Sequence, residues 1–147
     1  MNEIKVCHSV WKTLLIILTD LLIVALGVYG TLKGIAPVIA WFLIIFFSFA
    51  VLITAYPLLK ERITRQPYLT ITDEYVQVDS RKLMEIRYAD VDSFQLKQFL
   101  VDRMIVVNYR SEKATPAEIL VSNLTVKPKD LLAILNDCLE NYMGSTR

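Results

Sequence analysis

Two long apolar stretches dominate the first half of the chain. Residues 13–32 contain one acidic residue, Asp20, and no other charge, and residues 35–59 contain no charge at all. About 20 helical residues cross a bilayer core about 30 Å thick, and both stretches reach that length without a polar face. The pattern predicts two transmembrane helices at 13–32 and 35–59. The short connection at Lys33-Gly34 makes them antiparallel neighbours.

From Gln66 onward, hydrophobic and polar residues alternate with period two, which is typical of half-buried strands. Six segments show this alternation, at 68–72, 75–79, 83–88, 91–97, 103–110 and 117–122. The segment from Pro128 to about Met143 is predicted as a helix, because its apolar residues recur at three- and four-residue intervals. Residues 66–147 are therefore predicted to form an α+β domain in which the helix covers the sheet.

The N-terminal segment, residues 1–12, has an alternation of its own. Ile4 and Val6 alternate with Lys5 and Cys7. We expect residues 3 to 8 to add a strand to the sheet, which would tie both ends of the helical hairpin to one domain. The alternative is a frayed tail beside the membrane.

Composition and charge agree with a membrane protein that has one extramembrane domain. Hydrophobic residues make up 54% of the 147 positions and charged residues 21%, whereas soluble domains average about 45–50% and about 25%. The 16 basic and 15 acidic residues lie almost entirely outside residues 13–59. This distribution excludes a single soluble globule, a disordered chain and a nucleic-acid binder that depends on net charge.

The basic residues that flank the helices predict the orientation of the chain. Two precede the first helix, one lies in the connection and three follow the second helix, namely Lys5 and Lys12, then Lys33, then Lys60, Arg62 and Arg65. The positive-inside rule places both termini in the cytoplasm. The last three are candidates for contact with anionic lipid, although an ordinary stop-transfer flank has the same composition. A cleaved signal peptide is the competing interpretation of the first stretch, and its acidic residue opposes that interpretation.

Asp20 is the most unusual residue of the apolar stretches. An Asp at a helix centre costs roughly 2.5–3.5 kcal/mol on insertion scales, so such a residue normally has a polar partner. Folding the hairpin about Gly34 places Asp20 level with Ser48, and Thr19 adjoins it. One interpretation is a hydrogen bond from Asp20 to Ser48 that locks the hairpin. The other is that these residues contact another membrane protein or a proton path.

The extramembrane domain offers little reactive chemistry. Glycine occurs only at 27, 30, 34 and 144, and His8 is the one histidine. We expect no catalytic residue, cofactor, metal site or nucleotide, because a phosphate-binding loop needs glycines and histidine-based metal sites and triads need histidines. Residues 66–147 carry 10 basic and 12 acidic residues, a net charge of −2, which disfavours nucleic acid. Arg81-Lys82 is too small a cluster to predict phosphoinositide binding, and Cys7 and Cys138 are expected to stay reduced.

The order of elements resembles that of a family of small bacterial membrane proteins whose cytoplasmic part is pleckstrin-homology-like (PH-like). The segments that carry the likeness are HSVWKT at 8–13, PYLTIT at 67–72, IRYADV at 86–91 and NLTVKPKDLL at 123–132. The resemblance implies a strongly bent antiparallel sheet of six to seven strands, capped by the C-terminal helix and placed at the bacterial inner membrane. It implies no activity and provides no site residue.

Together these features favour a non-enzymatic inner-membrane protein whose PH-like domain is a membrane-anchored protein-interaction module. Its expected partner is a second copy of the chain or another membrane component. The alternative is an immunity-type protein that neutralises a membrane-active toxin, for which the small size, the two helices and Asp20 are suited. An enzyme or transporter is the least favoured class, because it would need residues from other subunits.

Overall fold

The computed structural model describes residues 3–80, 82–111 and 114–146. The chain divides into two compact units. The hairpin unit, His8–Arg65, contains two long helices, and the β unit combines the chain up to Cys7 with the chain from Gln66. Within its described residues the β unit has two antiparallel sheets, seven strands in total, and a C-terminal helix. The predicted combination of an apolar hairpin with an α+β unit is therefore confirmed.

Helices α1 (Val10–Leu32) and α2 (Pro37–Thr64) are both long and apolar enough to cross a membrane. The Ser9 side chain caps α1 by accepting a hydrogen bond from the backbone N–H of Lys12. In the connection, Gly34 has a φ of 66°, a left-handed conformation that glycine adopts without steric cost. The helix ends differ from the predicted 13–32 and 35–59, because hydropathy locates the apolar segment whereas caps and turns decide where a helix begins and ends.

Small residues allow the two helices of the hairpin unit to approach closely. A Cβ atom added at Gly27 would lie 2.9 Å from Ile44 Cγ1 and 3.1 Å from the Ala40 carbonyl oxygen. Most large apolar side chains point the other way, and Leu26 and Phe46 are 60% and 55% exposed. The hairpin therefore has a narrow packed seam and a wide apolar outer surface, as expected for helices solvated by lipid.

The β unit forms two antiparallel sheets, with strand orders β1-β2-β3-β4 and β5-β6-β7. The strands are β1 Ile4–Val6, β2 Leu69–Ile71, β3 Tyr75–Asp79, β4 Leu83–Arg87, β5 Val91–Phe99, β6 Asp102–Tyr109 and β7 Ala117–Leu120. A 3₁₀ turn at Tyr88–Asp90 separates β4 from β5. The single bent sheet expected from the sequence is therefore divided at this corner, where a change of strand direction interrupts the ladder.

The N-terminal segment forms the strand that its alternation predicts. Strand β1 pairs antiparallel with β2, with Val6 opposite Leu69, and the Val6 side chain is completely buried. The backbone N–H of Thr125 donates a 3.0 Å hydrogen bond to the Cys7 carbonyl. The chain segments that precede and follow the helical hairpin are thus neighbouring strands of one sheet.

Alternate residues of both sheets and one face of α3 (Pro128–Ser145) build a shared hydrophobic core. The helix buries Leu131, Leu135 and Leu139, which are spaced four residues apart and share one face. Pro128 begins the helix, where its missing N–H needs no partner. The helix predicted from Pro128 is therefore confirmed, and it runs to Ser145 rather than to about Met143.

Candidate functional site

The three polar residues singled out within the apolar stretches, Asp20, Ser48 and Thr19, differ in their exposure and in their hydrogen bonds. Asp20 is half-buried whereas Ser48 is exposed, because Ser48 lies about 100° around α2 from the less exposed Phe47. Thr19 donates its hydroxyl to the Leu15 carbonyl of its own helix at 2.9 Å. Among the described residues no hydrogen bond joins Asp20 to Ser48, so the bond expected to lock the hairpin is not made.

The basic flank that the sequence singles out lies at the C-terminal end of α2. Lys60 is half-buried, and Arg62 and Arg65 are exposed. Arg65 has a φ of 55° and ends the helix in the left-handed conformation. Both guanidinium groups are accessible to anionic groups. In the Arg81-Lys82 pair, which the sequence also offers as a basic cluster, Lys82 is exposed and Arg81 lies outside the described residues.

The hairpin unit also contains a polar contact that the sequence pattern misses. The two carboxylate oxygens of Glu61 accept hydrogen bonds from the backbone N–H of His8 at 3.2 and 3.1 Å, and one of them also contacts His8 Nδ1. The two side chains are 15% and 13% exposed. The contact ties the chain that enters α1 to the last turns of α2 and closes the open end of the hairpin.

In the β unit, a cavity of about 240 Å³ lies beside α3 and is lined by Asp73, Cys138, Asn141, Tyr142 and Ser145. The Tyr88 ring packs against the Tyr142 ring at a centroid distance of 6.0 Å. The Tyr88 hydroxyl is buried near the Cys138 thiol, but it makes no hydrogen bond of ordinary geometry with any described group. It is the one polar group of this kind that the described core leaves unsatisfied.

The groups near this cavity are not activated for chemistry. Burial raises the pKa of the Tyr88 hydroxyl, and the neighbouring Cys138 adds to this effect. Burial also raises the pKa of the Cys138 thiol, so the reactive thiolate is disfavoured. Neither Cys7 nor Cys138 forms a disulfide, and nowhere in the described ranges do three or more His, Cys, Asp or Glu side chains gather to hold a metal ion.

Each sheet ends in a strand that is paired on one side. Of the described strands, β1 and β4 end the first sheet and β5 and β7 end the second, and each of these four strands pairs with one neighbour alone. Leu83 on β4 is 63% exposed and Leu120 on β7 is 49% exposed. On β4, Arg87 Nε also donates a 2.9 Å hydrogen bond to Glu85. Open edges of this kind are templates for an added strand, either from a partner or from a second copy.

The hairpin between β5 and β6 ends in three exposed apolar residues, Phe99-Leu100-Val101, here named the apolar tip. Their exposed fractions are 66%, 81% and 89%. The alternation predicts strands at 91–97 and 103–110, whereas the ladder continues to Phe99 opposite Asp102. The sequence pattern misses the apolar tip because a short apolar run between two strands has neither strand nor helix period. The signal that could have indicated the apolar tip is the run of three consecutive apolar residues at a position where a turn is expected.

No protein-family model matches this chain, and no curated protein matches it significantly. Its function is therefore inferred from the geometry of its two units.

Proposed function

We propose that the chain is a non-enzymatic, membrane-anchored protein-interaction module of the bacterial inner membrane, with both termini cytoplasmic. The pairing of β1 with β2 carries this proposal. Three residues separate Val6 from Val10 and four separate Thr64 from Leu69. Two such short connections keep the β unit at the membrane surface once the apolar helices span the bilayer.

The strand arrangement supports a PH-like identity for the β unit. Four and three antiparallel strands form two sheets, and the C-terminal helix packs on the core between them. The helical hairpin is inserted between the first and second strands. A fold of this kind assigns no ligand by itself, so the binding function has to come from a surface.

The open edge of β4 is the surface that we assign to a protein partner. An extended segment of the partner would pair with the unpaired backbone groups of β4. Leu83 would add an apolar contact, and the charged groups of Glu85 and Arg87 would select the partner sequence.

The substitution Leu83→Lys tests this surface. Full-length protein is crosslinked in native membranes, and captured proteins are identified by mass spectrometry. We expect the yield of the specific partner to fall about tenfold, because a charge at an open strand edge opposes strand addition. Ala133→Lys, at an exposed position of α3 and away from any strand edge, is the matched control and should leave the yield unchanged. Equal yields from the two variants contradict the β4 surface, and a wild-type chain without any partner contradicts the proposed function.

Asp20 favours a second candidate function, an immunity-type protein that neutralises a membrane-active toxin. Its half-buried carboxyl accepts no hydrogen bond from the described residues, and a polar group on another membrane protein would satisfy it. Cells that express the chain are challenged with a toxin encoded next to it. We expect Asp20→Asn to abolish protection and Ser48→Ala to preserve it. Full protection by Asp20→Asn, or none by the wild type, contradicts this candidate.

A further inference from the structure

The apolar tip departs from the pattern of the strands that carry it. Elsewhere the apolar side chains of β5 and β6 are buried or half-buried, and Phe94 and Ile105 are 4% and 0% exposed. The tip places three apolar side chains in succession in solvent. Leu120, which lies opposite Met104 on the same sheet, is a further exposed apolar residue, at 49%. Three consecutive exposed apolar side chains on a unit that already has its own hydrophobic core indicate a contact surface.

The turn itself is built at a conformational cost. Leu100 has a φ of 54°, a left-handed conformation in which glycine or asparagine is the usual residue. The Gln98 side-chain amide donates to the Leu100 carbonyl at 3.3 Å, and the backbone N–H of Arg103 donates to Ser122 Oγ at 2.7 Å. The turn is thus held in place on both strands. An apolar residue in a conformation that usually takes glycine or asparagine indicates a role in contact rather than in folding.

Cations flank the apolar tip on both strands. Lys97 precedes it and Arg103 follows it, and both side chains are exposed. Asp102, the one carboxylate in residues 97–103, lies with its Oδ1 3.4 Å from Ser122 Oγ. The segment therefore has a net charge of +1. Apolar side chains between cations match the interface of an anionic bilayer, where acyl chains lie below negative head groups.

The size of the tip fits a lipid surface better than a protein. Three side chains offer far less area than the roughly 800 Å² per partner that a stable protein interface buries. A bilayer contact needs less area, because two short connections to the apolar helices make insertion an intramolecular event. We infer that Phe99-Leu100-Val101 inserts into the interface of an anionic phospholipid bilayer. This inference goes beyond the proposed protein-binding function and rests only on its membrane anchoring.

Single-tryptophan variants of the full chain test the inference in lipid nanodiscs. Trp11→Phe and Trp41→Phe remove the native fluorophores, and Leu100→Trp places one at the tip. The nanodiscs contain phosphatidylglycerol and phosphatidylcholine, with or without bromine on the acyl chains, and bromine quenches tryptophan that reaches the bilayer. We expect about twofold quenching of the Leu100→Trp variant by brominated lipid, since tryptophan partitions into the interface.

Two controls separate the tip from its surroundings. Leu83→Trp in the same background replaces another exposed leucine, 63% exposed on β4, and should show little quenching. Adding Phe99→Ser and Val101→Ser to Leu100→Trp should abolish the quenching, because the apolar neighbours that insert with it are lost. Replacing phosphatidylglycerol entirely by phosphatidylcholine should weaken the quenching, since Lys97 and Arg103 then lose their anionic partners.

The outcomes distinguish the inference from the proposed function. The Trp11→Phe variant alone keeps Trp41 on α2 and reports membrane anchoring. Quenching of that variant without quenching of Leu100→Trp overturns the inference and leaves the anchoring intact. Absence of quenching in both contradicts the anchoring. Equal quenching of Leu83→Trp and Leu100→Trp overturns the specific role of the apolar tip. The same conclusion follows if a photocrosslinker at position 100 captures a protein while brominated lipid does not quench the Leu100→Trp variant.

Discussion

The hairpin unit and the β unit place the same kinds of side chain in opposite positions. Leu26 and Phe46 in the hairpin unit are 60% and 55% exposed, whereas Leu69 and Ile86 in the β unit are 0% and 1% exposed. The β unit builds its own apolar interior, and burial from water stabilises it. The hairpin unit satisfies its backbone within two helices that are long and apolar enough to cross a membrane, and most of its large apolar side chains are not covered by the chain itself. The contrast shows that burial within the chain accounts for the apolar side chains of the β unit but not for those of the hairpin unit.

The two units also differ in what holds their elements together. In the hairpin unit, the close approach at Gly27 and the contact between His8 and Glu61 join α1 to α2. In the β unit, strand pairing and the core beneath α3 join residues from both ends of the chain. Substitutions that remove an apolar side chain, add one, or remove a polar contact should therefore act differently on each unit.

Removing a core side chain should have the largest effect on stability, and it should show the difference between the two units most clearly. Leu135 is completely buried under the sheets, and Leu135→Ala should lower the free energy of unfolding of the β unit by about 2–5 kcal/mol, since it removes apolar contacts and leaves a cavity. Urea denaturation in nanodiscs, followed by near-ultraviolet circular dichroism, measures this change. Leu26→Ala, at a side chain that is 60% exposed, is the control and should change it by less than about 0.5 kcal/mol. Equal losses would abolish the contrast between the units.

Adding a side chain at the helix seam should have the next largest effect. Gly27→Leu forces atoms against Ile44 and the Ala40 backbone, and it should destabilise the hairpin unit by about 1–3 kcal/mol. Titration with SDS in mixed micelles measures helix separation. Gly144→Ala meets nothing within 4 Å and should be silent. If Gly27→Leu does not change the stability of the hairpin unit, the close approach of the helices at Gly27 does not hold them together.

Removing the charge at the open end of the hairpin unit should cost about 1–2 kcal/mol. Glu61→Gln keeps one acceptor oxygen but loses the carboxylate that accepts from His8, and charge-assisted hydrogen bonds exceed neutral ones in strength. The same SDS titration applies. Glu3→Gln removes an exposed ion pair to Lys5 of 3.7 Å and should change stability by less than about 0.5 kcal/mol. If the two variants behave alike, the His8 contact contributes no more than a surface pair.

Removing the unsatisfied hydroxyl in the β unit should have the smallest effect at neutral pH and a clearer one in alkali. Tyr88→Phe should leave stability unchanged or raise it by up to about 1 kcal/mol, because the hydroxyl has no partner among the described groups. Burial raises the pKa of Tyr88 above the unfolded value of about 10. As the pH rises past about 10, the Tyr88 hydroxyl then ionises in the unfolded state but not in the folded state. The wild type should therefore lose stability above this pH, and the Phe variant should lose less.

Urea midpoints at pH 7.5 and about pH 10.5 measure both effects of Tyr88→Phe. A loss of about 1 kcal/mol at neutral pH would show that the hydroxyl is bonded to the Cys138 thiol after all. If Tyr88→Phe loses as much stability in alkali as the wild type, other groups dominate the alkaline range. Burial also raises the pKa values of the Cys138 thiol and of Tyr109, so these two groups are the candidates.

Much of the fold was accessible from the sequence because its signals are local and periodic. Apolar length predicts α1 and α2, period two predicts the strands, and the spacing of Leu131, Leu135 and Leu139 predicts the face of α3. The strand at the N-terminus followed from the alternation of Ile4 and Val6 with polar neighbours. Each of these patterns reports which side of an element is apolar, and burial then selects the matching arrangement.

The candidate sites were less accessible because they depend on direction and on contacts between distant residues. The sequence predicts that Ser48 and Asp20 lie at the same height along the paired helices. It does not predict which way Ser48 faces around the axis of α2, and in the structure Ser48 is exposed. The partner of Glu61 lies 53 residues away, at His8. No period relates such residues, so only the folded chain brings them together.

By itself, the sequence determined that this chain has an apolar helical hairpin joined to an α+β unit, because hydrophobic periodicity is a property of neighbouring residues. The tertiary structure alone decided that the bent sheet divides at Tyr88–Asp90, that the Tyr88 hydroxyl is buried beside Cys138 and that Phe99-Leu100-Val101 projects into solvent. These features arise where strands turn, meet or end, and their geometry is set by packing across the fold rather than by any residue's immediate neighbours.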